Sequence, residues 1–269
     1  EGDYIVIPRG CYDELISQLF VAGVRYDVVD KRQKGRKIDI HFNGDLYSEQ
    51  QIAAEKMLYN DIGVLAAATA FGKTVLGAYL IAEKKVNALV LVHNVEIMNN
   101  WIKDLNSFLT INEELPTYTT PKGRVKKRSS LIGTFSSQKD ATTGIIDIAM
   151  ITSLGREDNI NELVRNYGMV IVDECHHAAA VTHENVLRAV TARYIYGMSA
   201  TINRGDKQDK KMFMQLGPIR HRYTAKERAQ KQGIGHYIYP RFTRLVDLNQ
   251  SEDKNQSDYY RLIMQSELR

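Results

Sequence analysis

The stretch LAAATAFGKTVLGAYLIAEKKVNALVLV, residues 65–92, has the pattern of a buried strand, a loop, an amphipathic helix and a second strand. Its loop, AATAFGKT, has the position of a phosphate-binding loop, in which backbone N–H groups and a helix N-terminus face the anion. In such a loop Lys73 reaches the β- and γ-phosphates of a nucleotide, and the Thr74 hydroxyl ligates Mg²⁺. Alanine stands where many of these loops have glycine, at Ala67 and Ala70. The alternative is a chance turn before a helix.

A second polar group follows the apolar strand in MVIVDECHHAAA, residues 169–180. Beside a phosphate loop, Asp173 can hold Mg²⁺ through water, and Glu174 can orient and deprotonate an attacking water. Acidic groups at the carboxyl edge of a parallel sheet also lie where such folds bind ligands. The alternative is a zinc site of three consecutive residues, whose side chains would point to opposite faces of a strand: Cys175, His176 and His177.

Apolar runs that alternate with helical segments predict an α/β fold, with a parallel sheet covered by helices on both faces. The runs are NALVLV, IIDIAMI, MVIVD and YIYGMSA, and polar residues follow the last one at Ser199 and Thr201. We expect this pattern, over residues 45–222, to form one domain.

The pattern of residues 1–44 predicts a small α+β unit. Because so short a segment buries little core alone, we expect it to pack on the following domain. Its predicted elements are a strand in YIVI, a helix in RGCYDELISQLFVAG and strands in RYDVVDKR and KIDIHF. Residues 223–269 predict a connector, with a strand in HYIYPRFTRLVDL and a helix from Gln256 to Leu268.

The composition is that of an ordinary soluble protein, with 269 residues, 43% hydrophobic and 25% charged. No apolar run reaches the ~18 residues of a membrane-spanning helix, and EGDYIVIPRG does not have the pattern of a signal peptide. We therefore expect a cytoplasmic protein, with Cys11 and Cys175 as reduced thiols. The net charge of +4 is too small to indicate nucleic-acid binding by itself.

The segments AATAFGKT, VDECHH and MSAT resemble motifs I, II and III of the superfamily 2 helicases, in the same order and at suitable spacing. The similarity is strongest to the branch that contains XPB, the phage helicase UvsW and the motor subunits of restriction enzymes. It implies a RecA-like P-loop domain that uses ATP and Mg²⁺ and acts on nucleic acid, with double-stranded DNA favoured. Since the family often has alanine at the start of motif I, Ala67 is compatible with activity, and we expect Ala70 to keep a negative φ.

The resemblance also implies roles for single residues. The glutamine of LYSEQQIAA, Gln50, would read the adenine, although a solvated residue at a helix start is the alternative. The loop would bind ATP through Thr69, Ala70, Phe71, Gly72, Lys73 and Thr74. LVHNVEIMNNW resembles motif Ia and MITSL motif Ib, which would contact a nucleic-acid backbone through His93, Asn94, Thr152 and Ser153. Nucleotide state would be coupled to the bound strand through His176, Ser199, Thr201 and Arg204.

Motifs V and VI are not visible in the sequence, so we expect the N-terminal half of a longer helicase, whose second RecA-like domain would complete the ATP site. The alternatives are a nucleotide-dependent clamp or assembly module without unwinding, and the motor part of a restriction, phage-defence or repair complex.

Trp101 is expected to be a core residue. The basic stretch PKGRVKKRSS, residues 121–130, has two interpretations. It would contact a nucleic-acid backbone, or it would form a solvated hairpin or loop.

Overall fold

The structure of the protein is a computed structural model, which describes residues 5–120, 122–156, 159–176, 181–200 and 207–231. These ranges contain eight α-helices. They are α1 (Tyr12–Val21), α2 (Ser48–Tyr59), α3 (Lys73–Lys84), α4 (Val95–Phe108), α5 (Ile151–Leu154), α6 (Val181–Ala189), α7 (Lys207–Leu216) and α8 (Ala225–Lys231). Short 3-10 helices lie at Arg9–Cys11 and Glu162–Arg165. None of the helices in these ranges is long and apolar enough to cross a membrane.

The strands define one large sheet and several small ones. They are β1 (Ile40–Phe42), β2 (Ile62–Ala67), β3 (Ala88–Val92), β4 (Leu109–Ile111), β5 (Thr117–Thr119), β6 (Val125–Lys127), β7 (Ile132–Ser136), β8 (Lys139–Asp140), β9 (Ile146–Met150), β10 (Gly155–Arg156), β11 (Asn159–Ile160), β12 (Met169–Asp173), β13 (Tyr194–Ser199) and β14 (Ile219–Tyr223). The large sheet has eight strands in the order β14-β2-β13-β12-β3-β9-β7-β8. All pair in parallel except β8, which is antiparallel to β7.

The central strands are apolar along their whole length because both faces of the sheet are covered. In β2, Leu65 and Ala67 belong to a core shared with α2, α3 and α4. Val64 and Ala66, which alternate with them, belong to a second core shared with α5, α6 and α7. The predicted α/β fold with helices on both faces is therefore confirmed.

The N-terminal segment differs from its prediction. The helix is present as α1, and KIDIHF contributes β1, which pairs antiparallel with β4. The residues of YIVI and RYDVVDKR that the structure describes form no strand, so these two predictions are wrong. The side chains of Val28 and Val29 are 57% and 77% exposed. A strand needs a partner for its backbone N–H and C=O groups, and an apolar alternation alone does not supply one.

The C-terminal part contains a strand that the sequence did not predict. β14 lies at the edge of the large sheet, next to β2. Residues 1–227 group into one compact unit, and a second unit begins at Arg228, of which the structure describes residues 228–231. The predicted strand in HYIYPRFTRLVDL and the helix from Gln256 to Leu268 lie outside the described residues.

Candidate nucleotide-binding site

The predicted motif residues meet at the carboxyl edge of the sheet, because β2, β13 and β12 are neighbours in it. The phosphate loop, residues 68–72, joins β2 to α3. Asp173 ends β12 and Ser199 ends β13. The register pairs Asp173 with Met198, and Ser199 with Ala66. The carboxyl edge of a parallel sheet is where α/β folds bind their ligands.

The phosphate loop contains a tight turn that contradicts one expectation. The Phe71 N–H donates to the Ala68 carbonyl at 3.2 Å, which makes Ala70 the third residue of a four-residue turn. Ala70 has φ 60°, in the left-handed region, so the expectation of a negative φ is wrong. The turn is the physical reason, since several types of tight turn need a positive φ at a central residue. Alanine in this conformation is strained by roughly 1–2 kcal/mol.

Gln50 supports the same loop from α2. It is 4% exposed, so the alternative of a solvated residue is wrong. Its Nε2 donates to the Phe71 carbonyl at 2.8 Å, and its Oε1 accepts from the Tyr47 N–H at 3.0 Å. A Cβ added at Gly72 would lie 2.5 Å from Nε2, and Gly72 has φ 83°. Both the contact and the backbone conformation therefore require glycine at position 72. The adenine contact of Gln50 stays a prediction.

Asp173 is held by two hydrogen bonds. Its Oδ1 accepts from the Glu174 N–H at 2.9 Å, and its Oδ2 accepts from the Trp101 indole Nε1–H at 2.8 Å. Burial raises the pKa of Asp173, while these two hydrogen bonds act in the opposite direction. Trp101 is 1% exposed, as expected for a core residue, but its partner was not predicted. The signal in the sequence is that a buried indole N–H needs an acceptor.

A chain of polar contacts through Glu174 connects residues of the three predicted motifs. Its Oε1 lies 3.8 Å from Nζ of Lys73, in motif I. Its Oε2 lies 3.3 Å from Nδ1 of His176, and the same Nδ1 lies 2.9 Å from the Ser199 hydroxyl. Glu174 has φ 45°, a strained conformation for a residue with a side chain. The structure thus brings together Lys73, Glu174, His176 and Ser199, whereas Thr201 and Arg204 lie outside the described residues.

Comparison with known proteins identifies the family. The family model described as "Type III restriction enzyme, res subunit" matches residues 43–204, more than half of the chain. The chain belongs to this family. It thereby carries the N-terminal domain of a superfamily 2 helicase, which confirms the predicted family.

Proteins similar to this chain include one from a virus and one from an archaeon. A mimivirus protein (Acanthamoeba polyphaga mimivirus), an ATP-dependent RNA helicase by name, is 25% identical over 187 residues, which are 68% of this chain and 33% of that protein. The DNA 3'-5' translocase XPB2 of Sulfurisphaera tokodaii is 22% identical over 214 residues, 80% of this chain and 43% of that protein. The chain therefore spans about a third to less than a half of the length of these relatives.

The fold comparison agrees with the family. The crystal structure of the UvsW helicase from bacteriophage T4 superposes with a TM-score of 0.54 at 13% identity, and the match covers 79% of this chain and 78% of that one. At this identity the likeness shows the fold alone, which is the RecA-like fold of superfamily 2 helicases.

The expected backbone-contact residues of this family member follow β3 and β9, farther along the same edge. Asn94 caps α4: its Oδ1 accepts from the Ile97 N–H at 2.8 Å, and its Nδ2 lies 3.2 Å from His93 Nε2. Ser153 accepts from the Ser137 N–H at 2.9 Å, and Thr152 is exposed. Within the protein, Asn94 and Ser153 therefore have structural hydrogen bonds, and their contacts to nucleic acid stay predictions.

The side chains at the site fit Mg²⁺ better than zinc. Asp173 and Thr74 offer a carboxylate and a hydroxyl, the hard oxygen donors that Mg²⁺ prefers. Cys175 is fully buried, which raises the pKa of its thiol far above the ordinary value and disfavours the thiolate that binds zinc. Within the ranges that the structure describes, no group of three His, Cys, Asp or Glu side chains has the geometry of a metal site. His177 lies outside those ranges.

Proposed function

We propose that this protein is the ATP-binding and ATP-hydrolysing domain of an ATP-dependent DNA helicase or translocase. The observation that carries the proposal is the contact chain from Lys73 through Glu174 and His176 to Ser199, beside the phosphate loop. It connects the groups that would bind phosphate, activate water and sense the strand-binding side of the domain. Membership of a superfamily 2 family supports the same function.

Each residue of the site has a role in this proposal. Loop N–H groups and the N-terminus of α3 would bind the phosphates, and Lys73 would add a positive charge. Asp173 and Thr74 would hold Mg²⁺, which neutralises phosphate charge when bound. Glu174 would orient the attacking water and accept its proton. Lys73 leaves Glu174 when it binds phosphate, which makes the carboxylate available as a base.

His176 would couple hydrolysis to the bound strand. Its Nδ1 lies within 3.3 Å of Glu174 Oε2 and 2.9 Å from the Ser199 hydroxyl. A displacement at the end of β13 therefore changes the surroundings of the carboxylate that activates water. Thr201 and Arg204, which follow β13 in the sequence, would extend this connection toward the rest of the helicase.

Double-stranded DNA is the proposed substrate, since XPB2 is a DNA translocase by name. RNA is the alternative, which the name of the mimivirus relative favours. We propose that the complete protein has a second RecA-like domain that supplies an arginine to the ATP site, and that it acts in the cytoplasm as part of a defence or repair complex. Residues 45–222 would be the first RecA-like domain, residues 1–44 an accessory unit and residues 223–269 the connector.

One observation favours a second candidate, a nucleotide-dependent clamp or assembly module without unwinding. The strained φ of Ala70 places an energetic cost inside the phosphate loop, where a fast motor would benefit from glycine. Such a module would bind nucleotide and turn it over slowly even when its second domain and DNA are present.

Binding and turnover of residues 1–269 test the proposal. A calorimetric titration with a non-hydrolysable ATP analogue and Mg²⁺ should show weak binding, which Lys73→Ala abolishes and Lys31→Ala, at an exposed position, does not. Steady-state hydrolysis should be slow with or without DNA, because the second domain is needed to complete the site. If the ATP analogue does not bind detectably, the proposed nucleotide site is wrong. Fast, DNA-stimulated turnover by these residues alone would contradict the requirement for a second domain.

A further inference from the structure

Trp101 makes a polar contact in addition to its packing in the core. It lies on α4, two turns after the Asn94 cap, and it is the only tryptophan in the chain. Its indole Nε1–H donates to Oδ2 of Asp173 at 2.8 Å. A buried indole N–H needs an acceptor, and here the acceptor is the carboxylate proposed to hold Mg²⁺. The helix that begins with motif Ia is thereby connected directly to motif II.

The helix after the phosphate loop makes room for this contact. A Cβ added at Gly77, in the interior of α3, would lie 2.5 Å from Cη2 of Trp101. Glycine inside a helix costs roughly 0.5–1 kcal/mol relative to alanine. Gly77 also lies one turn after Lys73, on the same side of α3. The indole ring thus lies against the backbone of α3 at Gly77, and its N–H reaches Asp173.

The two hydrogen bonds fix the orientation of the Asp173 carboxylate. The Glu174 N–H binds Oδ1 and the Trp101 N–H binds Oδ2, so rotation about the last side-chain bond would break both. Each carboxylate oxygen can accept further hydrogen bonds or bind a cation. The carboxylate is therefore presented in one orientation, with acceptor capacity left on both oxygens.

We propose that Trp101 is a positioning residue of the nucleotide site, whose indole N–H orients the Asp173 carboxylate for Mg²⁺ and connects it to α4. This rests on the proposed function, in which Asp173 faces the Mg²⁺ of the bound nucleotide. Residues that orient metal ligands in this way typically contribute about tenfold or more to metal affinity. Because α4 begins with motif Ia, a shift of this helix would also move the metal ligand.

Trp101→Phe in residues 1–269 separates this role from packing, because phenylalanine keeps an aromatic ring and removes the N–H. Binding of an ATP analogue with a fluorescent N-methylanthraniloyl group is measured in EDTA and over a range of Mg²⁺ concentrations. We expect the half-saturating Mg²⁺ concentration to rise about tenfold, while binding in EDTA stays within about twofold of wild type. The matched control is Leu105→Met, at a fully buried position on the same helix, which should leave both values unchanged.

The outcomes distinguish the inference from the proposed function. If Trp101→Phe weakens binding equally with and without Mg²⁺, or changes neither, Trp101 is a packing residue and the inference is wrong. If wild type shows no Mg²⁺-dependent binding that Lys73→Ala removes, the proposed function itself fails, and the inference with it.

A measurement on the wild-type protein covers the case in which Trp101→Phe does not fold. The single tryptophan gives one indole N–H signal in a ¹⁵N-¹H correlation spectrum. We expect this signal to shift when Mg²⁺ is added to the analogue-bound protein, and to shift much less in Asp173→Ala. An identical signal with and without Mg²⁺ would overturn the inference.

Discussion

The Nζ atom of Lys73 lies 3.8 Å from Oε1 of Glu174, so the cation of the phosphate loop directly faces the carboxylate proposed to activate water. The two side chains are 13% and 24% exposed, which shields their interaction partly from solvent. A nucleotide phosphate would compete with Glu174 for Lys73. The Lys73–Glu174 ion pair would therefore link nucleotide binding to the activation of Glu174 as the proposed base.

Replacing Glu174 with glutamine tests the proposed base. In a protein that also carries the proposed second domain, Glu174→Gln should reduce turnover by roughly 10²-fold or more, because the amide cannot accept the proton. ATP binding should be kept, since Lys73 and the Mg²⁺ ligands remain. Steady-state hydrolysis and calorimetric titration measure the two effects. Glu83→Gln, at an exposed position on α3, is the control, and normal turnover in Glu174→Gln would show that another group is the base.

Ala70→Gly tests the strain in the phosphate loop. Because φ is 60°, glycine removes roughly 1–2 kcal/mol of strain, of which the greater freedom of the unfolded chain offsets about 0.4–1 kcal/mol. We expect the free energy of unfolding to rise by up to about 1.6 kcal/mol in a urea titration. Affinity for an ATP analogue should stay level or increase up to about fivefold.

The control for this loop variant is Ala68→Gly, because Ala68 does not have a positive φ. That substitution should lower the free energy of unfolding, so the two variants should change stability in opposite directions. Destabilisation by both would show that Ala70 is not strained. A gain in affinity of tenfold or more in Ala70→Gly would favour the clamp over the motor.

Removing the His176 imidazole tests the proposed coupling between motifs II and III. His176→Ala breaks the contacts to Glu174 and Ser199 but leaves Lys73 and Asp173 in place. In a protein with the second domain, we expect stimulation of hydrolysis by double-stranded DNA to fall by about tenfold, with ATP binding unchanged. His41→Ala, at an exposed position on β1, serves as the control. Full stimulation in His176→Ala would exclude this route of coupling.

The basic hairpin, in which β5 pairs antiparallel with β6, offers a test of DNA contact. Its exposed basic side chains form no ion pair with the residues that the structure describes: Lys122, Arg124, Lys126 and Lys127. If two of them contact phosphates, replacing Arg124 and Lys126 by glutamine should reduce the slope of log K against log salt concentration by about 1.8 for double-stranded DNA.

The salt dependence is measured by fluorescence anisotropy with labelled DNA. The matched control replaces Lys31 and Lys210, which are also exposed, by glutamine and should leave the slope unchanged. Equal slopes for wild type and the hairpin variant would show that the hairpin is a solvated element.

The sequence predicts the central fold well because its strands are buried on both faces. The runs that became β2, β3, β12 and β13 are continuously apolar, and turn or helix signals separate them. β14 was missed because an edge strand tolerates polar and basic residues such as Arg220 and Arg222. RYDVVDKR has the apolar alternation of a strand, but it pairs with no strand in the part of the chain that the structure describes.

At the site, the sequence identified groups but not their local geometry. The φ of Ala70 follows from the turn that Phe71 closes on Ala68, and no property of alanine indicates it. The bond from Trp101 to Asp173 joins residues 72 positions apart, so no local pattern reports it. Besides the acceptor that a buried indole N–H needs, the glycine at position 77 was a signal, because a helix interior rarely has glycine without a packing reason.

The edge strand β14 gives the phosphate loop a mechanical connection to the rest of the chain. The Ala68 N–H donates to the Tyr223 carbonyl at 3.0 Å, and the ring centroids of Phe71 and Tyr223 lie 5.1 Å apart. Five residues after Tyr223 the chain enters its second unit, at Arg228. A displacement of Tyr223 would therefore act directly on the backbone that is proposed to hold the phosphates.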